Sequence, residues 1–115
     1  MNLWKNQEWT PMLLSEQKKP FNDSEYIYEL KFDGIRAIVF GNKKKVIIKN
    51  RYGENITHKF PELQEIRTIL DKNTILDGVI VMLENGKPSL SKLQERNHLK
   101  DQRKITYQAQ ANPVL

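Results

Sequence analysis

Cysteine is absent from the chain, and only two histidines, His58 and His98, are present. The first absence excludes disulfides and thiolate metal sites, and two widely separated imidazoles do not make a metal cluster. Both histidines read as surface residues. No apolar run comes near the roughly 18 residues needed to cross a bilayer. The opening Met1-Asn2-Leu3-Trp4-Lys5-Asn6 lacks the basic-then-apolar layout of a secretory signal, so a cytoplasmic location and no membrane partner are expected. Glycine and proline number only five each, and no repeat, low-complexity tract or Gly/Ser linker marks an internal boundary. Acidic residues are missing where basic ones concentrate. The segment holding Lys43, Lys44, Lys45, Lys49 and Arg51 has no Asp or Glu and carries a charge equal to the whole net excess of +5. Such a stretch favours phosphate partners through counterion release, although Asn42-Lys43-Lys44-Lys45 also reads as a solvated hairpin tip that discourages edge pairing.

At 115 residues, with 38% hydrophobic and 29% charged content, the chain fits one ordinary domain. Residues 1–24 show neither helical period nor sustained alternation and read as an extended arm with one short helical turn. Residues 25–115 carry the domain. Tyr26-Ile27-Tyr28-Glu29-Leu30-Lys31 alternates as a strand, which would put Tyr26, Tyr28 and Leu30 on a core face and Glu29 and Lys31 together on the other. Arg36 to Phe40 follows as a second strand after Asp33-Gly34, and Val46 to Lys49 as a third. Pro61 opens a helix to about Leu70 with Leu63, Ile66, Ile69 and Leu70 at helical spacing. Ile75 to Leu83 predicts a further strand closed by Asn85-Gly86. A second helix is expected over Ser89 to Leu99, capped by Ser89 or Ser91, then a short strand at Ile105-Thr106-Tyr107 and the beginning of another at Pro113-Val114-Leu115. The fold class is α+β, antiparallel meanders with packed helices.

Chemistry concentrates in Glu29-Leu30-Lys31-Phe32-Asp33-Gly34-Ile35-Arg36. Lysine is nucleophilic only when neutral, which about one free side chain in a thousand is near pH 7, so burial or neighbouring cations must help. Arg36 and Arg51 are such cations, and Gly34 lets the backbone turn beside them. Taken alone, Asp33-Gly34 is also a plain hairpin turn flanked by ordinary charges.

This run resembles the K-x-D-G-x-R signature of the covalent nucleotidyltransferases: ATP-dependent DNA ligases, RNA ligases and mRNA capping enzymes. Arg51-Tyr52-Gly53 resembles the R-x-G element of the DNA ligases, and Leu76-Asp77-Gly78-Val79-Ile80-Val81 their L-D-G-E-[IL]-V element. Pro11-Met12-Leu13 and Pro88 to Gln94 are also similar to stretches of bacterial ATP-dependent DNA ligases. The resemblance implies part of an ATP-grasp-like adenylation domain, without its C-terminal half or an OB-fold. It implies Lys31 as the nucleophile that takes AMP, ATP and Mg2+ as cofactors, and Glu29 near the adenine. Arg36 and Arg51 would meet ribose or phosphates, Asp33 and Gly34 would shape the turn, and Lys43, Lys44, Lys45 and Lys49 would contact DNA. The implied partner is nicked duplex DNA, in repair, recombination or replication.

Two departures stand beside it. Val79 occupies the position of the family's active-site glutamate, and no match to the later E-G-x-x-x-K or K-x-K elements follows. A catalytically silent ligase fragment that only binds nucleic acid is the alternative from another class; an RNA ligase or capping-type enzyme is the alternative within the chemistry. The apolar end at Pro113-Val114-Leu115 further predicts self-association through an unpaired strand edge, or a disordered tail.

Overall fold

A computed structural model describes residues 2–115. The centre is a three-stranded antiparallel sheet of β1 (Ile35–Gly41), β2 (Val46–Asn50) and β3 (Thr74–Ile80), in the order β2-β1-β3. β1 is buried from Ala37 to Gly41 because both of its edges are paired and both of its faces are covered. On one face Ala37, Val39, Val46, Ile48 and Ile80 join Phe60, Leu93 and Val114 in the core. Over the other face, which carries Phe40 and Lys49, runs the N-terminal segment after the short helix α1 (Leu3–Asn6). Trp4 donates its indole N–H to the Gly41 carbonyl at 3.2 Å, and Lys49 donates to the Gln7 carbonyl at 3.0 Å.

Beyond β2, 3-10 turns at Thr57–Lys59 and Pro61–Ile69 replace the expected α-helix. Phe60, Leu63 and Ile66 explain the tighter winding. A spacing of three places them on one line when a turn holds 3.0 residues, and all three pack on the core. These turns also close the outer edge of β2. Gln64 bonds both the N–H and the C=O of Val46, and Ile48 donates to Thr57 Oγ1 while accepting from Ile56 N–H. After β3, the two-residue strands β4 (Leu83–Glu84) and β5 (Lys87–Pro88) pair across Asn85-Gly86, the turn anticipated there. Helix α2 (Leu90–Asn97) follows with Ser89 as its N-cap, then α3 (Gln102–Ala111).

Three expectations are corrected. Tyr26–Lys31 is not a strand, and Tyr26, Tyr28 and Leu30 are exposed rather than core. With β2 and β3 on its two edges, β1 has no edge left to pair with the chain that precedes it, so Asp33-Gly34 cannot close a hairpin. The tyrosines instead gather around Phe21 at ring distances of 5.0 and 6.0 Å. Ile105-Thr106-Tyr107 lies inside α3, because the Asp101 side chain accepts from the N–H groups of Arg103 and Lys104 and caps a stretch rich in helix formers. The C-terminal residues are ordered: Val114 is buried, and Leu115 and Val81 exchange two backbone bonds of 2.8 Å.

Candidate active site

The β1–β3 register, with Ile35 opposite Ile80 and Arg36 opposite Val79, brings the K-x-D-G-x-R and L-D-G-V segments together. Gly34 sits where they touch. A Cβ on it would lie 2.1 Å from the Ile80 carbonyl oxygen and 2.7 Å from Val79 Cγ1. Its φ is not positive. The chain bends at this glycine, and what requires the residue type there is the close approach of two backbones, not a positive φ.

Arg36 and Asp77 form the site's strongest polar contact, Nε to Oδ1 at 2.6 Å and Nη2 to Oδ2 at 2.7 Å. The two are diagonal neighbours across the strand pair and lie on the face that also carries Val79. Hydrogen bonding to Asp77 holds the Arg36 guanidinium above its ordinary value, against partial desolvation; the Asp77 and Glu29 carboxylates add to it. The same bonds hold Asp77 below the usual carboxylate range. Sequence reasoning missed Asp77 as a site residue, although its place two positions before Val79 put it on the same strand face. Arg36 thus spends its planar fork on a carboxylate two residues before Val79.

Lys31 lies in the exposed lead-in to β1, its side chain 73% accessible and its Nζ 3.6 Å from Asp33 Oδ1. The shielding that a nucleophilic lysine needs is not built around it by the described residues. Glu29 is likewise exposed. Arg51 follows β2 at the same end of the sheet as Arg36, since Asn50 pairs with Ala37. Its guanidinium lies over the Tyr52 ring, 4.8 Å from the centroid, in a turn that Gly53 completes at φ +80.

The basic cluster is divided. Lys43, Lys44 and Lys45 mark the turn after Gly41, five residues along β1 from Arg36 and so about 17 Å away. Lys43 pairs with Asp71 at 3.2 Å, Lys45 lies over Trp4, and the Lys49 amine is held by Gln7. Three clefts of about 470, 290 and 420 Å³ run along α2, α3 and the β4–β5 hairpin; none is lined by Lys31, Arg36 or Arg51. Among the described residues no helix is long and apolar enough to cross a membrane.

Comparison with known proteins identifies the family. The family model for the ATP dependent DNA ligase domain matches residues 11–115. The SPbeta prophage-derived DNA ligase-like protein LigB of Bacillus subtilis is 43% identical over 88 residues, 76% of this chain and 32% of its own length. DNA ligase C1 of Mycolicibacterium smegmatis is 38% identical over 74 residues, 63% of this chain and 21% of its own. Among solved structures, mycobacterial DNA ligase D complexed with ATP and MES aligns with TM-score 0.57 and 28% identity, over 75% of this chain and 25% of that one. The ligase domain of Mycobacterium tuberculosis LigD aligns with TM-score 0.56 and 31% identity over 64% of this chain and 25% of that one. The chain belongs to the ATP-dependent DNA ligases and represents part of their adenylation domain. It spans about a third or less of the length of these relatives.

Proposed function

We propose that this chain is the lysine-bearing part of a DNA-ligase adenylation site, in which Lys31 takes AMP from ATP. The convergence of Gly34, Arg36, Asp77 and Val79 at the β1–β3 junction, directly after Lys31, carries this reading. In the proposed step the neutral Lys31 amine attacks the α-phosphorus, a P–N bond forms as the bond to pyrophosphate breaks, and the lysine proton leaves to solvent. AMP then passes to the 5′-phosphate of a nick in duplex DNA, and attack by the 3′-hydroxyl seals the strand and releases AMP. Arg36 and Arg51 offer positive charge to the phosphates, with Glu29 toward the base. Magnesium would neutralise charge on the triphosphate. Among the described residues no three His, Asp or Glu side chains converge on an ion, so the phosphates themselves would be its main ligands.

Val79 favours a second reading, a DNA-binding module without catalysis. Valine supplies no acceptor opposite Arg36, and loss of one polar catalytic group costs roughly 2 to 4 kcal/mol of transition-state stabilisation. Intact mass after incubation with ATP and magnesium separates the two. An AMP adduct absent from Lys31→Ala is the expected result, with a larger yield in Val79→Glu. Salt-sensitive DNA binding with no adduct in either the native chain or Val79→Glu would support the binding module instead.

A further inference from the structure

Three lysines of the basic cluster along β2 are already engaged. Lys43 pairs with Asp71, Lys45 lies over Trp4, and Lys49 is held by the Gln7 carbonyl. Cations without partners gather instead at α3. Lys100, Arg103 and Lys104 are exposed, and among the described residues their side chains make no ion pair or hydrogen bond. Only the backbone N–H groups of Arg103 and Lys104 are taken, by the Asp101 cap.

Helix stability does not account for these charges. α2 sets Lys92 against Glu95, whereas Gln102–Ala111 contains no acid at all. Arg103 and Lys104 stand in the first turn of α3, where the helix dipole disfavours cations. Nor is this a face that folding would bury, since three unpaired charges would have to lose their water.

Tyr107 stands among them and is 68% exposed. Spacings of three and four residues put it on one helix face with Lys104 and Arg103, while Ile105 is buried. Tyr107 and Arg103 together line two shallow clefts of about 290 and 420 Å³, and no acid lines either one. An aromatic ring open beside unpaired cations suits one ligand in particular. A single nucleic-acid strand can stack an unpaired base on the ring and lay its flanking phosphates on the cations. A duplex brings only the phosphates, because its bases are already stacked on each other.

This surface is separate from the site described above. α3 packs on the turns of Pro61–Ile69, in the layer over the Ala37 and Val39 face of the sheet. Arg36, Asp77 and Val79 lie on the opposite face.

We infer that Lys100, Arg103, Lys104 and Tyr107 form a binding surface for single-stranded DNA. The choice of DNA over RNA rests on the ligase reading; the stacking ring and the charges do not. The surface gives the protein a hold on an unpaired strand, distinct from the duplex contact proposed for sealing.

The test is fluorescence anisotropy of the 115-residue chain with a labelled oligothymidylate of about 15 nucleotides, across a salt series, beside a duplex of equal length. Tyr107→Ala should weaken single-strand binding by about tenfold, and Tyr107→Phe should restore it. Glutamine at Lys100, Arg103 and Lys104 together should reduce the salt slope by about 2, since each single-strand phosphate contact contributes about 0.7. Ultraviolet cross-linking should attach the oligonucleotide to the α3 peptide. Unchanged affinity and slope in these variants, a cross-link confined to other segments, or equal loss of duplex binding in Tyr107→Ala would each overturn the proposal. An AMP adduct with no effect of the α3 variants would sink it and leave the ligase reading standing. Their expected effects without an adduct would do the reverse.

Discussion

Replacing Gly34 by alanine places a methyl carbon 2.1 Å from the Ile80 oxygen and 2.7 Å from Val79 Cγ1, where ordinary contact begins near 3.4 Å. The Val79 side chain can rotate away, but a carbonyl fixed in the β1–β3 ladder cannot. The strand ends must separate by roughly 1 Å, which stretches the adjoining interstrand hydrogen bonds beyond effective length. Overpacking of this kind costs about 1 to 3 kcal/mol, and each weakened bond adds about 1 kcal/mol. A loss of about 3 kcal/mol is expected. Domains of this size are stable by about 5 to 15 kcal/mol, so the variant should still fold. Urea unfolding followed by tryptophan fluorescence suits the measurement, because Trp4 is tied to β1 through Gly41. With a slope of about 2 kcal/mol per molar, the midpoint should fall by about 1.5 M. Gly78→Ala is the control. No heavy atom lies within 4 Å of its added Cβ and its φ is not positive, so its midpoint should hold or rise slightly. A Gly34→Ala midpoint matching that of Gly78→Ala would refute the close approach, and with it the geometry that joins Lys31's segment to Val79.

Other changes test other contacts. Arg96 is buried beneath Phe60, with Nη2 bonded to Glu62 at 2.7 Å. Glu62→Ala should therefore cost about 3 to 5 kcal/mol by urea unfolding and loosen Val114, whose N–H the same carboxylate accepts. Asp77→Asn should cost about 1 kcal/mol or less at neutral pH, since its pair is a third exposed. Because Arg36 depresses the Asp77 pKa, the native chain's advantage is full above the ordinary value near 3.8 and is lost as pH falls through the lower folded value; denaturant midpoints of both proteins across that range should converge. Brief trypsin treatment should cut first after Lys18 and Lys31, with Arg36 and Arg96 resistant, as fragment masses will show. Equal cutting at Arg96 would mean the buried arginine is accessible.

Strands β1, β2 and β3 were legible because alternation and apolar content are local signals, and the sheet supplied the neighbours they presuppose. Tyr26–Lys31 carries the same signal without a neighbour, and periodicity cannot report whether an edge is free. Ile105-Thr106-Tyr107 failed for another reason. Three β-favouring residues outweighed in the reading an Asp101 cap that sets the whole stretch. At the site, the order of the elements was legible but their contacts were not. Arg36 and Asp77 stand 41 residues apart, and only the β1–β3 register makes them diagonal neighbours. Gly34 shows the same gap most directly. A glycine after an aspartate reads as a turn, yet here it is held to that residue type by an oxygen 46 positions away. Motif spacing therefore marked the segments, and the sheet register is what brings them together. The Lys31 segment is strand-like in pattern yet exposed in the fold, because the strand it leads into already has both of its edges paired, by β2 and by β3.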